Sequence, residues 1–277
     1  DKKKKKKKDD NLEEIEFIFC DTDEKYWHGC KALLMNAATL YHKHASTWTD
    51  WILEQVVGTV VSTSQAYSEE DAVFGFASLV DTSFPPSKDT NTKEQLETQK
   101  QRRDAFEFLK QYALKECPAE YQSDMTRLLE QANDAKLFAF LHGRMINLPL
   151  EIVLVLHEQL WLDWEYDQQL EQKQPATAKK KKKKAAAAAS ATSVVSANGE
   201  PRILRFAPCT KDNHGTLLYR YYDDELLAGR ALVSYVVKAP KAYSQEDPIF
   251  LQVLVLTPDN YQQAIHDLKM LVGNGGR

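Results

Sequence analysis

PLEIVLVLHEQLWLDWEY, Pro149 to Tyr166, is the stretch whose reading decides the fold class. Proline stands where a helix tolerates it, in the first turn, and the residues that follow are apolar around nearly the whole of a 3.6-residue period. Such a helix has to be buried, and its neighbours offer the surface. Lys136 to Leu141 (KLFAFL) just before it reads as a strand, and Arg202 to Ala207 well after it reads as another. A buried helix between two strands predicts an α/β fold.

Outward from that point the same pattern continues in both directions. Upstream, Glu13 to Cys20 alternates, with Ile15, Phe17 and Phe19 on one face of an edge or near-edge strand. A helix follows from the capping sequence Asp21 to Glu24 to about Tyr41, then a short helix Ser46 to Gln55, and strands at Val56 to Ser64 and Ala72 to Val80. Gly75 between two Phe marks a closely packed or bulged strand position. Thr92 to Glu116 reads as a long polar helix and Ala119 to Ala132 as a second one. Downstream, strands are expected at Thr216 to Tyr222, Ala231 to Val237 and Ile249 to Leu256, the last apolar enough for a fully buried strand. Asp223, Asp224 and Glu225 read as an acidic turn between two of them. A closing helix begins at Thr257-Pro258-Asp259, carries Tyr261, Ile265, Leu268 and Val272 inward, and is expected to end at Gly273. The expected architecture is one α/β domain over residues 12–272, a mixed central sheet with flanking helices. Residues 1–11 form a basic disordered tail, 168–200 a low-complexity Lys/Ala insertion, and 273–277 a short tail.

Charge separates these parts. The 277 residues carry a formal −4, but the first ten contribute +4 and Lys179 to Lys184 contribute +6, so the rest carries −14. An acidic body disfavours direct nucleic-acid binding and favours basic partners. Lys2, Lys3, Lys4, Lys5, Lys6, Lys7 and Lys8, with Lys179, Lys180, Lys181, Lys182, Lys183 and Lys184, are dense enough to be nuclear-import addresses. Four scattered cysteines suit a reducing compartment, cytosol or nucleus. No apolar run reaches a membrane span, and no signal-peptide pattern precedes the fold. The first residue is Asp, so upstream sequence is expected to exist.

Chemistry is sparse. Ten dispersed glycines include neither a Walker A loop nor a dinucleotide fingerprint. Gln55 to Val60 (QVVGTV) partly echoes the Q/R-x-x-G-x-G/A loop that holds the pyrophosphate of acetyl-CoA, but Val60 replaces the small residue and a strand follows where a helix is needed. Cys20, His28, Cys30, His42 and His44 lack metal-ligand spacing. His142 and His157 read as packed or capping residues. The paired carboxylates Glu69-Glu70-Asp71, Asp163-Trp-Glu165 and Asp223-Asp224-Glu225 read as solvated surface.

Three segments resemble the BCCIP family. VFGFASLV (Val73 to Val80), after the acidic Glu69 to Asp71, is similar to the family's V-F-G-F-hydrophobic-S-L-L strand. Gly143-Arg-Met-Ile-Asn-Leu-Pro149 with its helix is similar to E-R-F-I-N-V-P-P. Val255-Leu-Thr-Pro-Asp259 is similar to M-L-I-P-G-D. Their order agrees from about Ile15 to Val272. Met145, Leu150 and Thr257 depart from the pattern. The resemblance implies a fold similar to the GCN5-related acetyltransferases (GNAT-like) with no cofactor. It also implies a non-enzymatic nuclear chaperone or adaptor, similar to the fungal protein-transporting chaperone, with the nucleolus and shuttling to the cytoplasm compatible. The implied client is a basic large-subunit ribosomal protein in ribosome biogenesis, and the implied further partners are a nuclear import receptor and recombination (DNA-repair) and cell-cycle regulators. Glu69, Glu70, Asp71, Asp223, Asp224 and Glu225 are the expected partner-binding residues. The alternative is a divergent acyltransferase using acetyl-CoA.

Overall fold

In a computed structural model, residues 15–63, 72–83, 92–130, 136–173, 199–240 and 250–274 are described. Among the described residues the chain forms eight strands, most of them buried on both faces: β1 (Phe17–Asp21), β2 (Gly58–Thr63), β3 (Gly75–Asp81), β4 (Leu137–Arg144), β5 (Arg202–Lys211), β6 (Leu217–Tyr219), β7 (Val233–Lys238) and β8 (Phe250–Leu256). They form one sheet ordered β1-β2-β3-β4-β5-β8-β7, with β6 also paired to β5. All neighbours are antiparallel except β4 and β5, which are parallel.

Among the described residues seven α-helices cover both faces. α1 (Trp27–Ala37), α2 (Ala45–Leu53), α3 (Lys93–Lys115) and α4 (Ala119–Glu130) lie on one. α5 (Leu150–Lys173), α6 (Tyr222–Arg230) and α7 (Pro258–Asn274) lie on the other. Two apolar clusters result. Leu137, Ala139 and Leu141 of β4 join the first and Phe138 and Phe140 the second. That parity carries the strand's next residues, His142 and Arg144, to the α5 side, as it carries Ile203, Arg205 and Ala207 of β5.

Several expectations change in detail. The first long helix breaks at Ala38, whose backbone is extended (φ −157°), and resumes as a 3₁₀ stretch, Thr39–His44. Ile15 lies exposed ahead of β1. The acidic turn is instead the first turn of α6, where carboxylates meet unsatisfied N–H groups. α5 runs on to Lys173, so Gln168 to Lys173 are helical and not insertion; residues 174–198 lie outside the described residues. The closing helix passes Gly273 to Asn274. Thr92 caps α3 with a reciprocal Gln95 bond, and Thr257 Oγ1 accepts from Asn260 N at the start of α7.

Gly75 is closely packed, as its position implied, and Gly143 is tighter still. A Cβ on Gly143 would lie 2.8 Å from the Phe76 ring and 3.0 Å from the Leu33 carbonyl group, where α1 crosses β4. Gly143→Ala is therefore expected to cost about 1–3 kcal/mol, lowering the urea midpoint at constant m-value. Gly229→Ala, in α6 with open space around it, is expected to stabilise by up to about 1 kcal/mol. Equal midpoints for the two variants would contradict this packing.

Candidate functional site

The parallel pair β4 and β5 bonds only over Leu137 to Ala139 and Arg202 to Leu204, then parts. β8 takes one edge of β5 over Ile203 to Cys209. On the other edge, beyond the parting, β6 pairs with Cys209 to Lys211, and Arg220 N donates to Pro208 O at 2.9 Å. The chain after β6 thus enters the gap. Tyr221 does the work of a missing strand: its hydroxyl accepts from Arg144 N (3.3 Å) and donates to Arg144 O (3.2 Å).

α6 begins there and delivers two carboxylates into the interior. Asp224 receives Arg205 Nε and Nη2, both at 2.9 Å, in a bidentate pair with both side chains fully buried. Asp223 Oδ1 accepts from Arg144 Nη2 at 2.7 Å, and its Oδ2 lies 3.1 Å from His157 Nε2 and 3.3 Å from His142 Nδ1. His157 Nδ1 is 2.6 Å from the Tyr261 hydroxyl. The Nε2–H tautomer of His157 satisfies this chain, donating to Asp223 and accepting from Tyr261. His142 stacks on Phe140 (5.7 Å between centroids), and among the described residues neither ring nitrogen has a hydrogen-bond partner beyond its 3.3 Å contact with Asp223.

Burial and charge set the protonation states. Burial would drag the Arg205 guanidinium down, but Asp224 more than offsets it and holds it above its usual value. Burial raises the Asp223 carboxyl, but His142, His157 and Arg144 hold it well below the usual carboxylate range. Burial pushes His142 well below 6.5, against the pull of Asp223. Burial pushes Tyr261 well above its ordinary value and Tyr41, on the opposite face, to about 12, where Arg205 opposes the rise and Asp224 adds to it. Two arginines against two aspartates leave the cluster neutral.

Asp223 and Asp224 are therefore corrections to the expected partner-binding surface. They are buried because Arg144 and Arg205 require them inside, and they cannot meet a client. Glu225, the next residue, is exposed. Glu69, Glu70 and Asp71, and both lysine runs, lie outside the described residues. Among the described residues one group could hold a metal: His142, His157 and Asp223, with ligand atoms within 4.8 Å of one another. They fit a divalent ion poorly. Arg144 already neutralises the carboxylate, and a metal would add two uncompensated charges beside two guanidiniums. Cys20, His28, Cys30, His42 and His44 do not converge into a further ligand group. Burial raises the Cys30 thiol to about 12, and His42 Nε2 is bonded to Met35 O. The cofactor-like loop is occupied by sheet: Gly58 to Val61 pair with β3, and Gln55 is bound by Thr22 and Asp81. The second half of the loop is thus strand and not the phosphate-cradling turn.

Comparison with known proteins follows the same lines. A family model described as BCCIP matches residues 13–179. A protein of Danio rerio described as "Protein BCCIP homolog" is 28% identical over 157 residues, covering 53% of this chain and 47% of that protein, so the match spans about half of that relative's length. The crystal structure of BCP1 from Saccharomyces cerevisiae superposes with a TM-score of 0.59 at 14% identity, covering 97% of this chain and 93% of that one. At such identity the likeness is one of fold.

The buried cluster makes two predictions. Asp224→Ala strands Arg205 and is expected to cost about 3–5 kcal/mol, whereas Arg205→Met with Asp224→Leu removes both charges and is expected to cost less than the single change. A double variant less stable than Asp224→Ala would refute the pairing. Because the folded pKa of His142 lies below its unfolded 6.5, the unfolded chain binds the extra proton, so stability is complete above pH 6.5 and falls as pH drops below it. Asp223, also depressed, adds a loss only below its ordinary 3.8. His142→Phe should therefore flatten the denaturation midpoint between pH 7 and pH 5. An equally steep decline in that variant would rule His142 out as the cause.

Proposed function

Because the chain belongs to the BCCIP family, we propose that it is a non-enzymatic chaperone or adaptor that binds a basic client protein. The observation that carries this is where the negative charge ends up. Arg144 and Arg205 cancel Asp223 and Asp224 inside, so this buried cluster takes nothing from the net −14 that the chain carries outside its first ten residues and Lys179 to Lys184. An acidic surface attracts Lys/Arg-rich segments at long range and shields them from indiscriminate contact with RNA. A large-subunit ribosomal protein awaiting assembly has the matching chemistry. Recombination and cell-cycle regulators are further candidate partners. Within the same reading Lys2 to Lys8 and Lys179 to Lys184 serve as addresses for an import receptor and place the protein in the nucleus.

The acetyltransferase-like fold belongs to this proposal too. What supports it is a sheet antiparallel but for β4 and β5, which open after three residue pairs. The gap so formed is filled by Tyr221, Asp223 and Asp224, and the loop at Gln55 to Val60 is committed to the sheet. Both features argue for a binding protein over an acyltransferase.

Affinity purification at low and at high salt tests the reading, since surface charge attraction is screened within about 3 Å at 1 M salt and about 30 Å at 0.01 M. A basic protein retained at low salt and released at high salt is expected. Retention of no basic protein, or retention indifferent to salt, would overturn the charge-masking mechanism. For the acyltransferase, a rise in Tm with millimolar acetyl-CoA would count against the non-enzymatic reading; no shift is expected.

A further inference from the structure

α5 was expected to be buried all round, and only half of it is. Val153, Leu156, Leu160 and Trp164 face the sheet and are covered. Val155, Leu162, Tyr166 and Leu170 are exposed at 40%, 57%, 59% and 41%. Their spacing of seven, four and four residues places them in one stripe on the outer face, about 22 Å long at 1.5 Å per residue. Four large apolar side chains aligned on a solvent face are a different matter from one stray leucine. They are not required by the core, because the opposite face already supplies it.

The rim of the stripe is acidic. From Leu150 to Leu170 the helix has Glu151, Glu158, Asp163, Glu165 and Asp167, and no Lys or Arg. Glu165 is held along the stripe by Trp161, whose Nε1 donates to its carboxylate at 2.7 Å. Alongside runs a groove between α5 and α7, lined by Trp161 and Ile265, where Lys269, the one Lys or Arg among the described lining residues, is paired with Glu158 at 2.8 Å.

We propose that this face of α5, with the α5–α7 groove, is the docking surface for an amphipathic basic helix of a client protein. The proposal rests on the basic-client reading above and names the place and the shape of the contact. An apolar stripe with helical spacing fits the apolar face of another helix, read at every third or fourth residue. Glu151, Glu158 and Glu165, spaced by seven along one flank, fit Lys and Arg beside that face, and they set orientation and steer encounter. The same charge discriminates among occupants. A second copy would set acidic rim against acidic rim, and nucleic acid or an anionic membrane would be repelled.

The test uses the full chain and a fluorescein-labelled synthetic peptide of about 18 residues, with Leu at every third or fourth position and Lys or Arg between. A scrambled peptide of the same composition keeps the charge and loses the stripe. Fluorescence anisotropy should show the patterned peptide binding at least about tenfold tighter than the scrambled one, with Leu162→Ser plus Tyr166→Ser removing that advantage. Glu151→Gln, Glu158→Gln and Glu165→Gln together should weaken binding and flatten its salt dependence. All five positions are outside the core, and a wild-type thermal transition confirms each fold. Equal binding of both peptides, unchanged binding by the Leu162/Tyr166 variant, or a dimer in sedimentation that the variant dissociates would each overturn the proposal. Purification of a basic client in parallel separates the two readings. A client retained equally by wild type and variant fails the docking face alone, and no client or peptide on the wild type fails the basic-client function as well.

Discussion

Two arginines inside the sheet impose the constraint on which the rest of the structure depends. A guanidinium cannot lose its proton, so Arg144 and Arg205, buried on the α5 side of β4 and β5, each need a carboxylate brought to them. Asp223 and Asp224 are adjacent in sequence, and only a backbone that enters the gap between the strands can deliver both. That requirement fixes where α6 starts. It also fixes where β6 must run, because the chain reaches Tyr221 only by following the outer half of β5. The helix dipole assists, since both carboxylates lie in the first turn of α6.

The parting of β4 from β5 would otherwise leave backbone groups in the interior without partners. Tyr221 satisfies both polar groups of Arg144 with one hydroxyl, and its ring lies under the Arg144 guanidinium at 4.7 Å. His157 and Tyr261 tie α5 and α7 to the same carboxylate. One cluster therefore joins β4, β5, α5, α6 and α7. A gap in a parallel pair is a natural place to hold a ligand, and in this chain side chains of the protein itself hold it shut.

The functional reading follows from the division between inside and outside. Charge within the buried cluster is balanced, two arginines against two aspartates, while the chain outside its two lysine-rich segments carries a net −14. α5 belongs to both regions, giving Val153 to Trp164 to the second apolar cluster and an acid-rimmed apolar stripe to solvent.

By itself the sequence determined the class of the fold and most of its elements. Alternation and helical spacing are local properties, so β2, β3, β8, α3 and the capped start of α7 stand close to where the residues place them. It also determined the net charge and, through three ordered segments, the family resemblance. Tertiary structure alone decided the meaning of Asp223 and Asp224. Acidic pairs are the same letters on a surface and in a core, and their burial depends on Arg144 and Arg205, 79 and 19 residues away. A signal was present, since an arginine at an inward strand position between apolar residues calls for a buried acid, but nothing local says which. The same limit applies to Pro149 to Tyr166. Its composition announced a helix against a sheet; which side of it would stay in water depended on how much sheet there was to cover it.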